Sequence, residues 1–228
     1  MALVNTKSLA STVDAVNEAF FFFKKLSAAE RTKTARWIAT RQGGPGSYRG
    51  MFAPTRSDLR RGIRVFTGEP VRSGAATGHI LGEEACRALI LLNVRDGVIR
   101  SALDRASAGM MSAIRETEAS GYTPGMYCCG ICSVAYWRNL LAGGLTDQER
   151  LLRTGMKTLK TYRRGDGRWG RFPFYYTLLA LSEITQPGAV DEMRYAAPVL
   201  EKFLKRPVGR DEFDMRRRVL AENILKRC

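Results

Sequence analysis

The chain has 228 residues, of which 45% are hydrophobic, a length and composition that suit a soluble globular protein with a core of its own. Its 37 basic and 22 acidic residues give a formal net charge of +15, which fits either a solvated basic surface or an anionic partner. No apolar run reaches the roughly 18–20 residues that span a bilayer, and the amino terminus lacks the pattern of a signal peptide. We therefore expect a cytoplasmic protein.

Helical periodicity runs through most of the sequence, in chain order. A capping box over residues 27–30 predicts the start of the first clear helix. Further helices are predicted from apolar periodicity over 82–94, 96–120, 128–141, 150–164, 174–184, 191–206 and 211–227. Residues 62–73 are the one segment that suggests a short hairpin. The pattern predicts one all-α domain over residues 1–228, with an insertion at about 54–80.

A Gly-rich turn with an aromatic residue recurs between successive helices. Aligning Gly109 with Gly155 places Gly121 on Gly167 without a gap, so the two clearest copies repeat every 46 residues or so. The residues that define the turns are Gln42, Gly46 and Tyr48 in the first copy, Gly121 in the second, and Gly167 and Trp169 in the third. Glycine permits the left-handed backbone that closes a helix, so we expect a structural joint.

These turns resemble the Gln-x3-Gly-x-Trp turn of terpenoid cyclases and protein prenyltransferases. The resemblance implies an α/α toroid, or a partial α/α barrel, of antiparallel helix pairs in which the second helix of each pair lies inside. The reactive aspartate motifs of that family are absent from the sequence. We therefore do not expect an active cyclase or prenyltransferase.

The same resemblance implies that the inner helices line a central hollow. The side chains expected there suit an apolar or isoprenoid-type ligand, and they are Cys132, Tyr136, Tyr175 and Tyr176. Glu83 and Glu84 are the acids on offer for general acid catalysis. The alternative, which we favour, is that both are surface acids at the first turn of a helix, where the dipole stabilises them.

The five cysteines are an odd number, which predicts free thiols rather than a disulfide framework. Three of them form the cluster Cys128, Cys129 and Cys132. A closed zinc site usually takes four ligands from two spaced pairs, and the single histidine, His79, lies far away in sequence. We therefore expect small buried helix residues here, with no metal and no cofactor.

A stripe of basic side chains supports a second function. Steps of three and four residues place one group on a common helix face, namely Arg150, Arg153, Lys157, Lys160 and Arg164. The alternative function is thus a basic helical-repeat module that binds nucleic acid or another polyanion without sequence specificity. We favour the ligand cavity, because the repeat is a pattern and net charge is only a tendency.

Overall fold

The computed structural model describes residues 3–228, and within that range the chain forms ten α-helices and one short hairpin. The helices are α1 (Leu9–Phe21), α2 (Ala28–Ala39), α3 (Arg56–Arg61), α4 (Gly74–Leu92), α5 (Gly97–Ala119), α6 (Gly130–Leu141), α7 (Gln148–Thr161), α8 (Phe174–Glu183), α9 (Pro187–Leu204) and α10 (Glu212–Leu225). Strands β1 (Ile63–Arg64) and β2 (Pro70–Val71) pair antiparallel. The all-α prediction is confirmed. No helix of residues 3–228 has the length and apolarity to cross a membrane.

Local capping decides where the helices begin. The predicted capping box of α2 is present: the Glu30 N–H donates to Ser27 Oγ at 3.2 Å, and the Glu30 carboxylate accepts from the Ser27 N–H at 2.8 Å. Helix α4 begins at Gly74, well before the predicted residue 82, because Ser73 caps it by accepting from the Ala76 N–H. His79 therefore belongs to α4, and the insertion ends before this helix.

Buried and half-buried helices alternate along the chain. Helices α4, α6 and α8 are buried on most of their sides, and α4 packs against α6 and α6 against α8. Helices α5 and α7 bury one face and leave the other in solvent. Helix α1 packs on α4, and the Arg216 guanidinium of α10 reaches back to Asp14 and Glu18 of α1, each at 2.8 Å.

Three joints connect these helices: joint 1 (residues 40–53), joint 2 (120–129) and joint 3 (162–173). Their glycines Gly46, Gly121 and Gly167 have φ of +82°, +71° and +78°, the left-handed conformation that the sequence predicts. Each joint packs against a glycine or a backbone carbonyl of a later helix. A Cβ at Gly109 of α5, for example, would lie 1.9 Å from the Arg49 carbonyl oxygen of joint 1.

Polar side chains tie the joints to neighbouring helices. In joint 1 the Gln42 amide donates to the Gly50 carbonyl at 2.8 Å and accepts from Arg105 of α5 at 2.7 Å. In joint 3 the Trp169 indole donates to the buried Glu192 carboxylate of α9 at 2.8 Å, as does Arg163 at 2.9 Å. Gln42 and Trp169 therefore act as structural residues.

Candidate metal centre

Glu83 and Glu84 lie in the middle of α4 and are buried, so the prediction that they are surface acids in a first turn is wrong. Their surroundings differ completely. Glu84 binds the guanidinium of Arg138, accepts from the Asn17 amide at 2.9 Å and accepts from the Tyr176 hydroxyl. Burial by itself raises the pKa of Glu84, but the charges of Arg138 and Arg87 hold that pKa below its ordinary value.

The bonds of Glu84 extend into a network that fills the space between α1, α4, α6 and α8. Arg87 donates to Asn17 at 2.7 Å and to Glu183 at 2.8 Å, and Arg138 donates to Glu183 at 3.1 Å. Two arginines thus face two glutamates. Because these groups satisfy one another, Glu84 is a structural residue of the core.

The side chains predicted to line a central cavity are packed in this interior. Cys132, Tyr136 and Tyr176 are buried, and Tyr175 is half-buried at the start of α8. The space beside Glu84 and Tyr176 amounts to about 20 Å³, which holds roughly one water molecule. An isoprenoid ligand would require the inner helices to separate, and its binding stays a prediction.

Glu83 points about 100° away from Glu84 around α4, and no cation among the described residues pairs with it. Its side chain is 0% exposed, and neither carboxylate oxygen has a hydrogen-bond partner among the described residues. Burial, followed by the charge of Glu84, raises its pKa well above the ordinary value. An uncompensated buried carboxyl is costly, so this position points to a function or to a missing partner.

Next to Glu83, three potential metal ligands converge. One ligand atom each from His79, Cys128 and Cys132 lies within 4.8 Å of the other two. The Nδ1 atom of His79 is buried and has no hydrogen-bond partner within residues 3–228. His79 is far from the cysteines in sequence but close to them in the fold, because α4 packs along α6.

Joint 1 fixes the histidine of this group. The ring of Tyr48 lies on that of His79, with centroids 3.4 Å apart and an interplanar angle of 31°. Burial, and to a lesser extent the charge of Arg49, lowers the pKa of His79 to about 4. The imidazole is therefore neutral near pH 7, which is the form that binds metals. Tyr48 thus contributes to the site as well as to the joint.

Helix α6 and joint 3 position the cysteines. Cys132 is buried in the first turn of α6, whereas Cys128 is exposed ahead of the helix. A Cβ at Gly130 would lie 2.0 Å from the Arg171 carbonyl oxygen, so only glycine lets joint 3 pack on the start of this helix. This close contact fixes the backbone at the start of α6, between Cys128 and Cys132.

Cys129 is the N-cap residue of α6 and is exposed to solvent. Its sulfur makes no well-aligned cap hydrogen bond, yet its pKa is lowered to about 6. The Cys132 thiol is the main cause, and the nearby N–H groups of Cys132 and Ile131 add to it. Contact with Cys129, followed by burial, raises the pKa of the Cys132 thiol. Cys129 is not part of the mutually close set of His79, Cys128 and Cys132.

The predicted basic stripe lies on the solvent face of α7, with one correction. Arg150, Arg153, Lys157 and Lys160 are exposed on this helix. Arg164 is also exposed, but α7 ends at Thr161, so Arg164 belongs to joint 3 and not to the helical stripe.

The comparison with known proteins adds no constraint on this site. No family model, no curated protein and no solved structure matches the chain. Part of the candidate site was nevertheless visible in the sequence. His79 and Glu83 are four residues apart on one helix, and Cys128 and Cys132 lie close together at the start of the next buried helix. What the sequence lacked was the pairing of the two segments.

Proposed function

We propose that this chain binds a thiophilic divalent cation of the zinc type through His79, Cys128 and Cys132. The observation that carries the proposal is the convergence of their ligand atoms within 4.8 Å, together with a buried His79 Nδ1 that has no hydrogen-bond partner within residues 3–228. Zinc–sulfur bonds of about 2.3 Å and zinc–nitrogen bonds of about 2.0 Å place tetrahedral ligand atoms roughly 3.5–3.8 Å apart. Binding therefore needs only small side-chain movements.

The ligand types favour zinc over calcium or magnesium. Thiolates and imidazole are preferred by zinc, whereas the alkaline-earth cations take oxygen ligands. Two thiolates also balance the charge of a divalent cation, so the partly buried site stays neutral without a further acid.

Three protein ligands leave a fourth position open. We infer that Glu83 faces it, because its carboxyl acts on the Cys128 and Cys132 thiols although it is not one of the three mutually close ligands. Its two carboxylate oxygens have no other partner within residues 3–228, and it follows His79 by about one helical turn. A carboxyl group so placed would hydrogen-bond a water molecule or substrate oxygen at that position. A zinc ion with two cysteines, one histidine and an open position supplies Lewis acidity and lowers the pKa of bound water.

Cobalt substitution tests the site directly. Anaerobically reduced protein titrated with Co²⁺ should saturate at one equivalent, with thiolate-to-cobalt charge-transfer bands and tetrahedral d–d bands. Zinc should displace the cobalt and remove both sets of bands. His79→Ala and Cys132→Ser should lose the bands, whereas Cys228→Ser, which alters an exposed thiol at the other end of the chain, should keep them. Equal cobalt spectra for His79→Ala and wild type would contradict the proposal.

We further infer that the helix pairs form an α/α toroid. Support comes from the contacts of the buried helices α4, α6 and α8, from α1 and α10 packing on either side of them, and from the Arg216 bonds between α1 and α10. The joints add to this support, because joints 1, 2 and 3 pack on α5, α7 and α9 in turn. If α1 and α10 are not neighbours in an experimental structure, the helix pairs do not close into a toroid and the inference is refuted.

The solvent face of α7 supports a second candidate function, the binding of a polyanion. Arg153, Lys157 and Lys160 line one groove of about 500 Å³ together with Asp191 and Glu192. These acids pair with Arg163 and Arg194, and none of the three basic side chains forms an ion pair with the described residues. Single- and double-stranded DNA should bind at low salt and dissociate as salt rises, because phosphate contacts release counterions. Lys157→Glu with Lys160→Glu should abolish binding, whereas Lys202→Glu with Lys205→Glu, at the C-terminal end of α9, should preserve it. If DNA binding is unchanged by Lys157→Glu with Lys160→Glu, the solvent face of α7 is not the binding surface.

A further inference from the structure

We propose that Cys129 and Cys132 form a disulfide when the protein meets a hydroperoxide, and that this modification releases the metal. The inference rests on the proposed metal centre for its regulatory part. The disulfide itself depends only on the two thiols and their positions.

The geometry divides the roles of the three clustered cysteines. Cys129 is exposed and caps α6, whereas Cys132 is buried in the first turn behind it. The two are three residues apart, a spacing that brings side chains on one helix face within about 5–6 Å between Cβ atoms. Cys129 is the N-cap residue and Cys132 the third residue of α6, so both side chains belong to the same turn. Cys128 is exposed as well, but in the metal-loaded protein it is bound to the cation. The oxidant therefore reacts with Cys129, and Cys132 is its resolving partner.

The chemistry balances with a hydroperoxide as the only co-reactant. The Cys129 sulfur attacks the terminal peroxide oxygen, the O–O bond breaks, and the sulfenic acid and one water result when hydrogen peroxide is used. The Cys132 sulfur then attacks the Cys129 sulfur, the S–O bond breaks, and the hydroxide that leaves takes a proton to become the second water. Two thiols lose two electrons in total, and the peroxide gains them.

The consequence for the metal follows from the shared sulfur. Cys132 is a member of the set with His79 and Cys128, and a disulfide sulfur no longer offers the thiolate that a metal requires. Only a histidine and one cysteine then remain, which is fewer than any stable zinc site uses. A dithiol reductant reverses the bond and restores the site.

Zinc-loaded wild-type protein should release its metal to a chromogenic chelator as hydrogen peroxide is added, and alkylation followed by peptide mapping should find Cys129 linked to Cys132. Cys129→Ser should bind zinc as wild type does and lose the peroxide-dependent release. Cys228→Ser should release zinc as wild type does. Circular dichroism of each variant confirms that it is folded. If Cys129→Ser does not fold, Cys129→Ala replaces it in the same experiment.

Distinct outcomes separate the two proposals. Reduced wild-type protein that binds no zinc overturns the metal centre, while the mapped disulfide can still be tested on that same protein. Zinc binding with equal peroxide-dependent release in Cys129→Ser overturns the switch alone. A Cys128–Cys132 or Cys128–Cys129 disulfide in the peptide map also overturns the proposed switch. So does a reduced, folded Cys129→Ser protein that fails to bind zinc, because Cys129 would then be a metal ligand.

Discussion

Replacing Arg138 by methionine removes the central cation of the buried network. The Arg138 side chain is 2% exposed, and its guanidinium bonds Glu84, Glu183 and Asn17. Methionine has a similar length and fills most of the space, so the lost charge dominates the effect. Glu84, whose side chain is 5% exposed, then keeps only the neutral donors Asn17 and Tyr176 as hydrogen-bond partners.

The magnitude follows from the charge that is left behind. Two cations and two anions become one cation and two anions, and removing one partner of a buried ion pair costs about 3–5 kcal/mol. For a chain of this length each kilocalorie lowers the melting temperature by roughly 2–4 °C, so Arg138→Met should melt about 6–20 °C below wild type. The double variant Arg138→Met with Glu84→Met removes the stranded carboxylate. Its loss should be smaller than the sum of the two single losses.

Urea denaturation followed by far-UV circular dichroism measures these free energies of unfolding. The matched control is Arg150→Met, which breaks an ion pair to Asp147 at 3.5 Å whose side chains are 62% and 69% exposed. That surface pair is worth about 0–1 kcal/mol. The reasoning is refuted if Arg138→Met lowers the free energy of unfolding no more than Arg150→Met does. It is also refuted if the loss in the double variant equals the sum of the two single losses.

Three further predictions concern the joints and the metal. Gly109→Ala should destabilise the protein by about 1–3 kcal/mol, because the new Cβ would lie 1.9 Å from the Arg49 carbonyl oxygen. Gly97→Ala in the same helix is the control, since its Cβ would meet open space, and equal melting temperatures of the two variants would contradict this prediction. Trp169→Phe should cost about 1–3 kcal/mol in urea denaturation by removing a donor from the buried Glu192, and a neutral result would show that the indole N–H is dispensable. Zinc at roughly a thousandfold excess over its dissociation constant should raise stability by about 4 kcal/mol in thermal melts, and the ligand-substituted variants should show no such rise.

Much of the local structure was predictable from the sequence, because it depends on neighbours in the chain. The capping box of α2, the hairpin at 62–73 and the left-handed glycines Gly46, Gly121 and Gly167 all follow from residue types at fixed spacing. The start of α4 at Gly74 differs from the predicted residue 82, because the run of Gly and Ala after Ser73 carries no apolar periodicity. Its cap is evident once the Ser73 hydroxyl is seen to accept from the Ala76 N–H.

The tertiary structure alone decided the roles of the two adjacent acids of α4. Successive residues on a helix point about 100° apart, so Glu83 and Glu84 enter different environments although their sequence context is the same. Glu84 meets two arginines from α4 and α6, whereas Glu83 lies near the cysteines at the start of α6 and pairs with no cation among the described residues. The sequence determined which residue types each helix carries. Which helix faces which, and hence that His79 lies beside Cys128 and Cys132, was fixed by packing over long separations that no local pattern records.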